Sequence, residues 1–166
     1  MVPKYVTKAL VKLGHKASTK PEHSPHCHVK IKYGKEGQLV PPPDETPLVM
    51  PQTVQYIQTI VGIFLWYARA VDLTLLPALN AIASQQSAPT EATLKETDHL
   101  LNYLATYPNA TVRFRASNMI LHIHSDAAYM VLPEARSRAG GYFYLSNKPA
   151  TKNLADVPTN GAIHNE

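Results

Sequence analysis

A chain of 166 residues with a 45% hydrophobic fraction is long enough to bury one core, or pieces of two, which excludes wholesale disorder. Its single cysteine, Cys27, excludes an internal disulfide and a four-cysteine zinc site, so an intracellular, reducing setting in cytoplasm or nucleus is expected. The longest apolar run, Ile60 to Ala68, falls well short of the ~20 residues that cross a bilayer, and the lysine-studded N-terminus lacks a signal-like core, so neither a membrane partner nor secretion is expected.

The net charge of +4 is concentrated at one end. Residues 1–40 carry Lys4, Lys8, Lys12, Lys16, Lys20, Lys30, Lys32 and Lys35 against Glu22 and Glu36, which leaves a net −2 for the remainder. That segment is either the electrostatic footprint for a polyanion or a solvated, exposed stretch, and charge alone leaves both open.

Residues 1–16 read as a basic amphipathic helix. Val6, Ala9, Leu10 and Leu13 have helical spacing, Pro3 suits the start and Gly14 the C-terminal cap. Lys4, Lys8, Lys12 and Lys16 recur every four residues, a ridge that suits a phosphate backbone or a solvated face. Residues 17–51 are proline-rich without sustained periodicity and read as a linker. Within it, His23, His26, Cys27 and His28 offer zinc-type donors, but three adjacent residues converge poorly on one tetrahedral ion and Pro25 restricts the approach.

Residues 52–117 read as a helical unit. Gln52 to Ala70 carries Val54, Ile57, Val61, Phe64, Leu65 and Ala68 on one face and is expected to be largely buried. Asp72 or Thr74 caps a second helix from about Leu75 to Ser84, with Pro77 in its first turn. Thr90 caps a third, through Leu94, Leu101, Leu104 and Ala105, ended by Pro108. An antiparallel packed unit follows, with Trp66, Tyr67 and Tyr103 read as core or interface aromatics rather than base-stacking platforms.

Beyond Pro108 the period changes to two. Met119, Leu121 and Ile123 alternate with His122, His124 and Asp126, a strand from Asn118 that ends in an acid beside a turn. After a loop with Pro133, Ala139 to Ser146 reads as a second, antiparallel strand, and Ala162-Ile163-His164 opens a third as residues 118–166 run out mid-element. Asp126, with His122 and His124 on its own face, is the acid best placed for chemistry. Alone it cannot hold two divalent ions, and Glu134, Asp156 and Glu166 sit on no helix facing it, so the residues themselves favour a capped loop acid.

Several anchors together resemble the copia-type retrotransposon polyproteins, from the reverse transcriptase thumb into the first strands of ribonuclease H. His124-Ser125-Asp126-Ala127-Ala128-Tyr129 and Arg136-Ser137-Arg138-Ala139-Gly140-Gly141-Tyr142-Phe143 look like that family's aspartate strand, arginine-bearing turn and glycine-tyrosine strand. Gln58-Thr59-Ile60-Val61-Gly62, Tyr67-Ala68-Arg69 and His99-Leu100-Leu101-Asn102-Tyr103-Leu104 resemble its preceding helices, while Ala70-Val71-Asp72 departs from the arginine-proline-aspartate-isoleucine found in many members. The resemblance covers roughly residues 52 to 146. It implies an α+β fold, a helical thumb or connection-like unit followed by two or three strands of an incomplete ribonuclease H-like sheet.

The resemblance also implies parent activities of RNA-directed DNA polymerisation and hydrolysis of RNA in RNA-DNA hybrids. No tyrosine-x-aspartate-aspartate motif occurs here. Asp126 matches the first of four ribonuclease acids that hold two magnesium ions; the others would lie beyond Glu166. The chain alone is therefore expected to be inactive and to take no Mg2+, Asp126 becoming a metal ligand only if the missing acids complete the site. Weak, sequence-independent contact with an RNA-DNA hybrid or other nucleic acid would fall to Lys4, Lys8, Lys12, Arg113, Arg115, Arg136 and Arg138. An open sheet edge and an uncovered apolar face lead to expected self-association. Two other readings stand beside this one: a small helical binding protein acting through the apolar face of Gln52 to Ala70, and, last for want of carboxylates, a free-standing metal-dependent hydrolase.

Overall fold

The computed structural model describes residues 2–27, 44–132, 136–149 and 157–165. Among them the chain forms four α-helices and a three-stranded antiparallel sheet, an α+β arrangement in two compact units that divide at Ala110/Thr111.

In the first unit, α1 (Tyr5–Lys12) buries Val6, Ala9 and Leu10 and exposes Lys4, Lys8 and Lys12. Gly14, at φ +67, ends it: the Gly14 amide donates to the Val11 carbonyl and the His15 amide to that of Leu10, both at 3.0 Å, satisfying carbonyls the last turn leaves free. The Tyr5 hydroxyl donates to the Ile63 carbonyl at 2.7 Å and its ring stacks on Tyr67, fixing α1 to α2 (Pro51–Ala70). The apolar stripe of α2, Ile57, Ile60, Val61, Phe64 and Ala68, packs with Leu75, Leu79 and Ile82 and with Leu100, Leu101 and Leu104 in one core. It follows that the α2 face invoked for partner binding is already covered. Trp66 is the exception among the aromatics, 54% exposed beside Tyr5.

Capping chemistry sets the remaining helix starts. Asp72 accepts from the Thr74 amide at 3.3 Å and begins a 3-10 turn (Leu73–Leu75) that leads into α3 (Leu76–Gln85), with Pro77 in its first turn. Thr90 accepts from the Thr93 amide at 3.2 Å and Thr93 accepts back from the Thr90 amide at 3.1 Å, a reciprocal cap on α4 (Glu91–Thr106) in which threonine fills the place usually taken by glutamate. The Thr93 hydroxyl then donates to Gln85 at 2.8 Å, joining α3 to α4.

The non-helical segment before residue 28 is held along α4. The Ser18 amide and the His15 ring bond to Asn102 Oδ1 at 3.1 and 3.0 Å, the Glu22 amide donates to Thr106 at 3.2 Å, and the His99 ring reaches the Ser24 carbonyl at 2.9 Å. Residues 44–49 dock on the start of the same helix, the Glu91 amide donating to the Pro47 carbonyl at 2.9 Å and the Val49 amide to that of Pro89 at 3.1 Å.

The second unit is a meander of β1 (Ile120–Leu132), β2 (Arg136–Ser146) and β3 (Ala162–Asn165), in the order β1-β2-β3. Asp126 does not end its strand. It lies in mid-ladder opposite Gly140, because Ala127 to Leu132 contains no glycine, proline or turn-forming polar residue to stop the extended backbone before Pro133. The approach to the sheet is clamped by Asn160, whose Oδ1 accepts the Arg115 amide at 2.7 Å while its Nδ2 donates to the carbonyls of Arg115 and Leu145 at 2.9 and 2.8 Å. Gly161 fits because it has no Cβ: one built there would lie 2.7 Å from Val112 and 2.8 Å from the Arg113 carbonyl oxygen.

Candidate functional site

Alternation along β1 and the β1-β2 register sort the side chains of the sheet onto two faces. One carries Leu121 opposite Leu145, Ile123 opposite Phe143 and Ser125 opposite Gly141. The other carries His122 opposite Tyr144, His124 opposite Tyr142, Asp126 opposite Gly140, and Arg138 opposite Ala128. The second face is the chemically richer one.

On that face the His122 ring stacks on Tyr144 with centroids 5.4 Å apart, and its Nε2 reaches the Asn147 carbonyl at 3.0 Å. His124 Nε2 lies 2.9 Å from the hydroxyl of Tyr144, which is buried beneath both imidazoles. The Tyr142 hydroxyl donates to the Asn160 carbonyl at 2.6 Å. Burial, and then the neighbouring Tyr144, push the Tyr142 phenol above its ordinary range, so at neutral pH it remains a hydrogen-bond donor rather than a base. Because Gly140 places no side chain across from it, the Asp126 carboxylate is exposed, and its Oδ1 accepts the Ala127 amide at 2.8 Å.

The chain matches no family model, no curated protein and no solved structure.

Geometry therefore carries the reading. Magnesium prefers several carboxylate or carbonyl oxygens in an octahedron, whereas the neighbours of Asp126 are imidazoles, phenols and a glycine. Among the described residues no group of three His, Cys, Asp or Glu side chains converges as a metal site, and the donors flanking Asp126 on its own face are not the oxygen set that two magnesium ions take. Of the candidate zinc donors, the His23 ring bonds the Tyr107 hydroxyl at 2.6 Å, and burial, then Glu96 and Glu22, raise the Cys27 thiol, disfavouring thiolate. His28 lies outside the described residues.

The cationic residues fall into separate groups. Lys4, Lys8 and Lys12 form an exposed row on the first unit, and no ion pair among the described residues engages them. Arg113 and Arg115 lie on the extended approach to β1, their backbones held by Gly161 and Asn160 and their side chains exposed. Arg138 is exposed on β2; the Arg136 side chain lies outside the described residues. Sequence reasoning picked out both histidines and Asp126 but not Tyr142 and Tyr144 as their partners. The signal was the period-two alternation of Tyr142, Phe143, Tyr144 against the same alternation in β1. Reading it needs the register, which sequence spacing leaves open.

Proposed function

We propose that this chain derives from a copia-type reverse transcriptase and ribonuclease H polyprotein and contributes phosphate-backbone contacts to nucleic acid rather than catalysis. The observation that carries the binding half is the α1 surface. Lys8 and Lys12 stand on the side of α1 opposite the buried Val6, Ala9 and Leu10, and exposed Lys4 precedes them at the left-handed N-cap, so the row is presented whenever α1 packs on its core. Ancestry is supported by the anchors on adjacent strands: His124 to Tyr129 lie on β1, and Ala139 to Phe143 pair back onto it from β2. The case against catalysis is chemical. Asp126 stands on a histidine-tyrosine face opposite Gly140, with imidazoles and phenols as its cross-strand and same-face neighbours, and a two-metal reaction needs several carboxylates.

Backbone contact of this kind reads charge and not sequence, so RNA-DNA hybrid and other duplexes should bind with similar, weak affinity. Fluorescence anisotropy of a labelled hybrid at low salt tests it. Replacing Lys4, Lys8 and Lys12 together with Glu should abolish binding; unchanged affinity would overturn the assignment of the row.

A further inference from the structure

The outer edge of β1 points to a second function independent of nucleic acid: we propose that it pairs antiparallel with the β1 edge of a second copy of this chain, centred on Ser125. Among the described residues β1 pairs with β2 alone, so its other edge offers a row of ladder groups with no strand beside it. Edges that must stay single are usually protected by lysine, proline or brevity. This one is long, and between Ile120 and Leu132 it contains no lysine, arginine, proline or glycine, with Asp126 its one formal charge. Its apolar side chains are also left in solvent, Leu121 at 52%, Ile123 at 53% and Tyr129 at 81% exposure.

Hydrogen-bond complementarity between carboxylate and imidazole selects the occupant and the register. A two-fold axis through Ser125 sets Ser125 opposite itself, Asp126 opposite His124 of the second copy, Ile123 opposite its Ala127, and Leu121 opposite its Tyr129. Directly opposed side chains in such a ladder have Cβ atoms about 4.5–5.5 Å apart, within reach of a carboxylate-imidazole hydrogen bond, and symmetry makes that pair twice. An axis through Asp126 sets two carboxylates against each other, and one through Ile123 sets His124 against His122; one through His124 pairs Asp126 with His122 of the second copy but sets two imidazoles against each other on the axis, so the Ser125 axis alone among these makes the pair without opposing like groups.

The groups around this pair leave it free to form. His124 keeps its Nε2 on the Tyr144 hydroxyl, with Tyr142 opposite, and Asp126 holds the neighbouring Ala127 amide, a local bond that a ladder partner can replace. Arg138, diagonally across from Asp126 on β2, makes no ion pair with it among the described residues. The result is a continuous six-stranded sheet with one histidine-tyrosine face and one apolar face.

The test uses the full chain with Cys27→Ser as background. Sedimentation should show a dimer at micromolar concentration. Under mild oxidation Ser125→Cys should cross-link to a dimer, since that position meets its own copy on the axis, whereas Leu121→Cys, which faces Tyr129, should not. Asp126→Lys should weaken dimerisation at least tenfold by setting an ammonium against His124, and adding His124→Asp to it should restore wild-type affinity by swapping the pair. A monomer throughout, equal cross-linking at both positions, or a double variant no better than Asp126→Lys would each overturn the proposal; the cross-linking comparison decides even if the charge variants fold poorly.

Discussion

Gly161→Ala is the sharpest single perturbation of the second unit. The added methyl carbon would lie 2.7 Å from Val112 Cγ1, 2.8 Å from the Arg113 carbonyl oxygen and 2.9 Å from Phe114 Cδ1, and the oxygen is backbone that cannot swing aside. Overpacking of this kind costs about 1–3 kcal/mol. Moving the segment away also gives up the 3.0 Å bond from the Gly161 amide to Arg113, a further ~1 kcal/mol. The sum, about 2–4 kcal/mol, is a large part of what a small unit holds at roughly 0.05–0.15 kcal/mol per residue.

Gly141→Ala is the matched control. Its Cβ would meet Phe143 Cε2 at 2.7 Å, but that atom is the far end of a ring that can turn, so a cost of about 1 kcal/mol or less is expected. Hydrogen exchange with peptide resolution is the suitable assay, because it reads the second unit segment by segment. In Gly161→Ala, amides of residues 111–115 and 161–165 should exchange about 30- to 900-fold faster, with α1 to α4 unaffected. Unchanged protection at those residues would refute the close packing of Gly161 against the approach to β1.

Two further predictions concern the first unit. Thr90→Ala removes the acceptor for the Thr93 amide and the hydroxyl bonded to Asp44, so thermal unfolding should show a loss of about 1 kcal/mol or more, and Thr90→Ser should recover most of it. Burial, and then Asp44, raise the Glu96 carboxyl above its ordinary value, which means the folded state binds that proton more tightly than the unfolded chain. The stability tied to that proton is therefore present at low pH and lost as pH rises through the raised value. Glu96→Gln should be more stable than wild type at neutral pH, the difference shrinking on acidification; a difference that does not vary between pH 4 and 7 would contradict the burial argument.

Local chemistry made the helical unit readable in advance. Gly14, Pro77 and Thr90 each sit where a backbone group must be satisfied or a φ fixed, and such requirements leave their mark within a few residues. The α2 stripe was legible for the same reason, since burial of one helical face imposes a 3.6-residue period. Asp126 shows where this runs out. The alternation marked its strand and its face but stops at the acid, whereas Ala127 to Leu132, with no turn former before Pro133, stays extended and Ala128 opposite Arg138 continues the ladder. The docking of residues 18–24 on α4 left no pattern either, because Asn102, Thr106 and His99 meet backbone groups some eighty residues away in sequence. For the candidate site, residue types announced the histidines and the acid. Their tyrosine partners and the absence of a carboxylate opposite Asp126 required the register.

The central claim is that the α1 row touches phosphates, and the salt dependence of binding tests it most directly. Each lysine-phosphate contact contributes about 0.9 to the log-log slope on duplex, so three contribute about 2.7, or roughly a 40-fold loss of affinity between 50 and 200 mM salt. Hybrid binding should therefore be shallower by about 2.7 when Lys4, Lys8 and Lys12 are all replaced with Gln. Superimposable slopes for the two proteins would contradict the account.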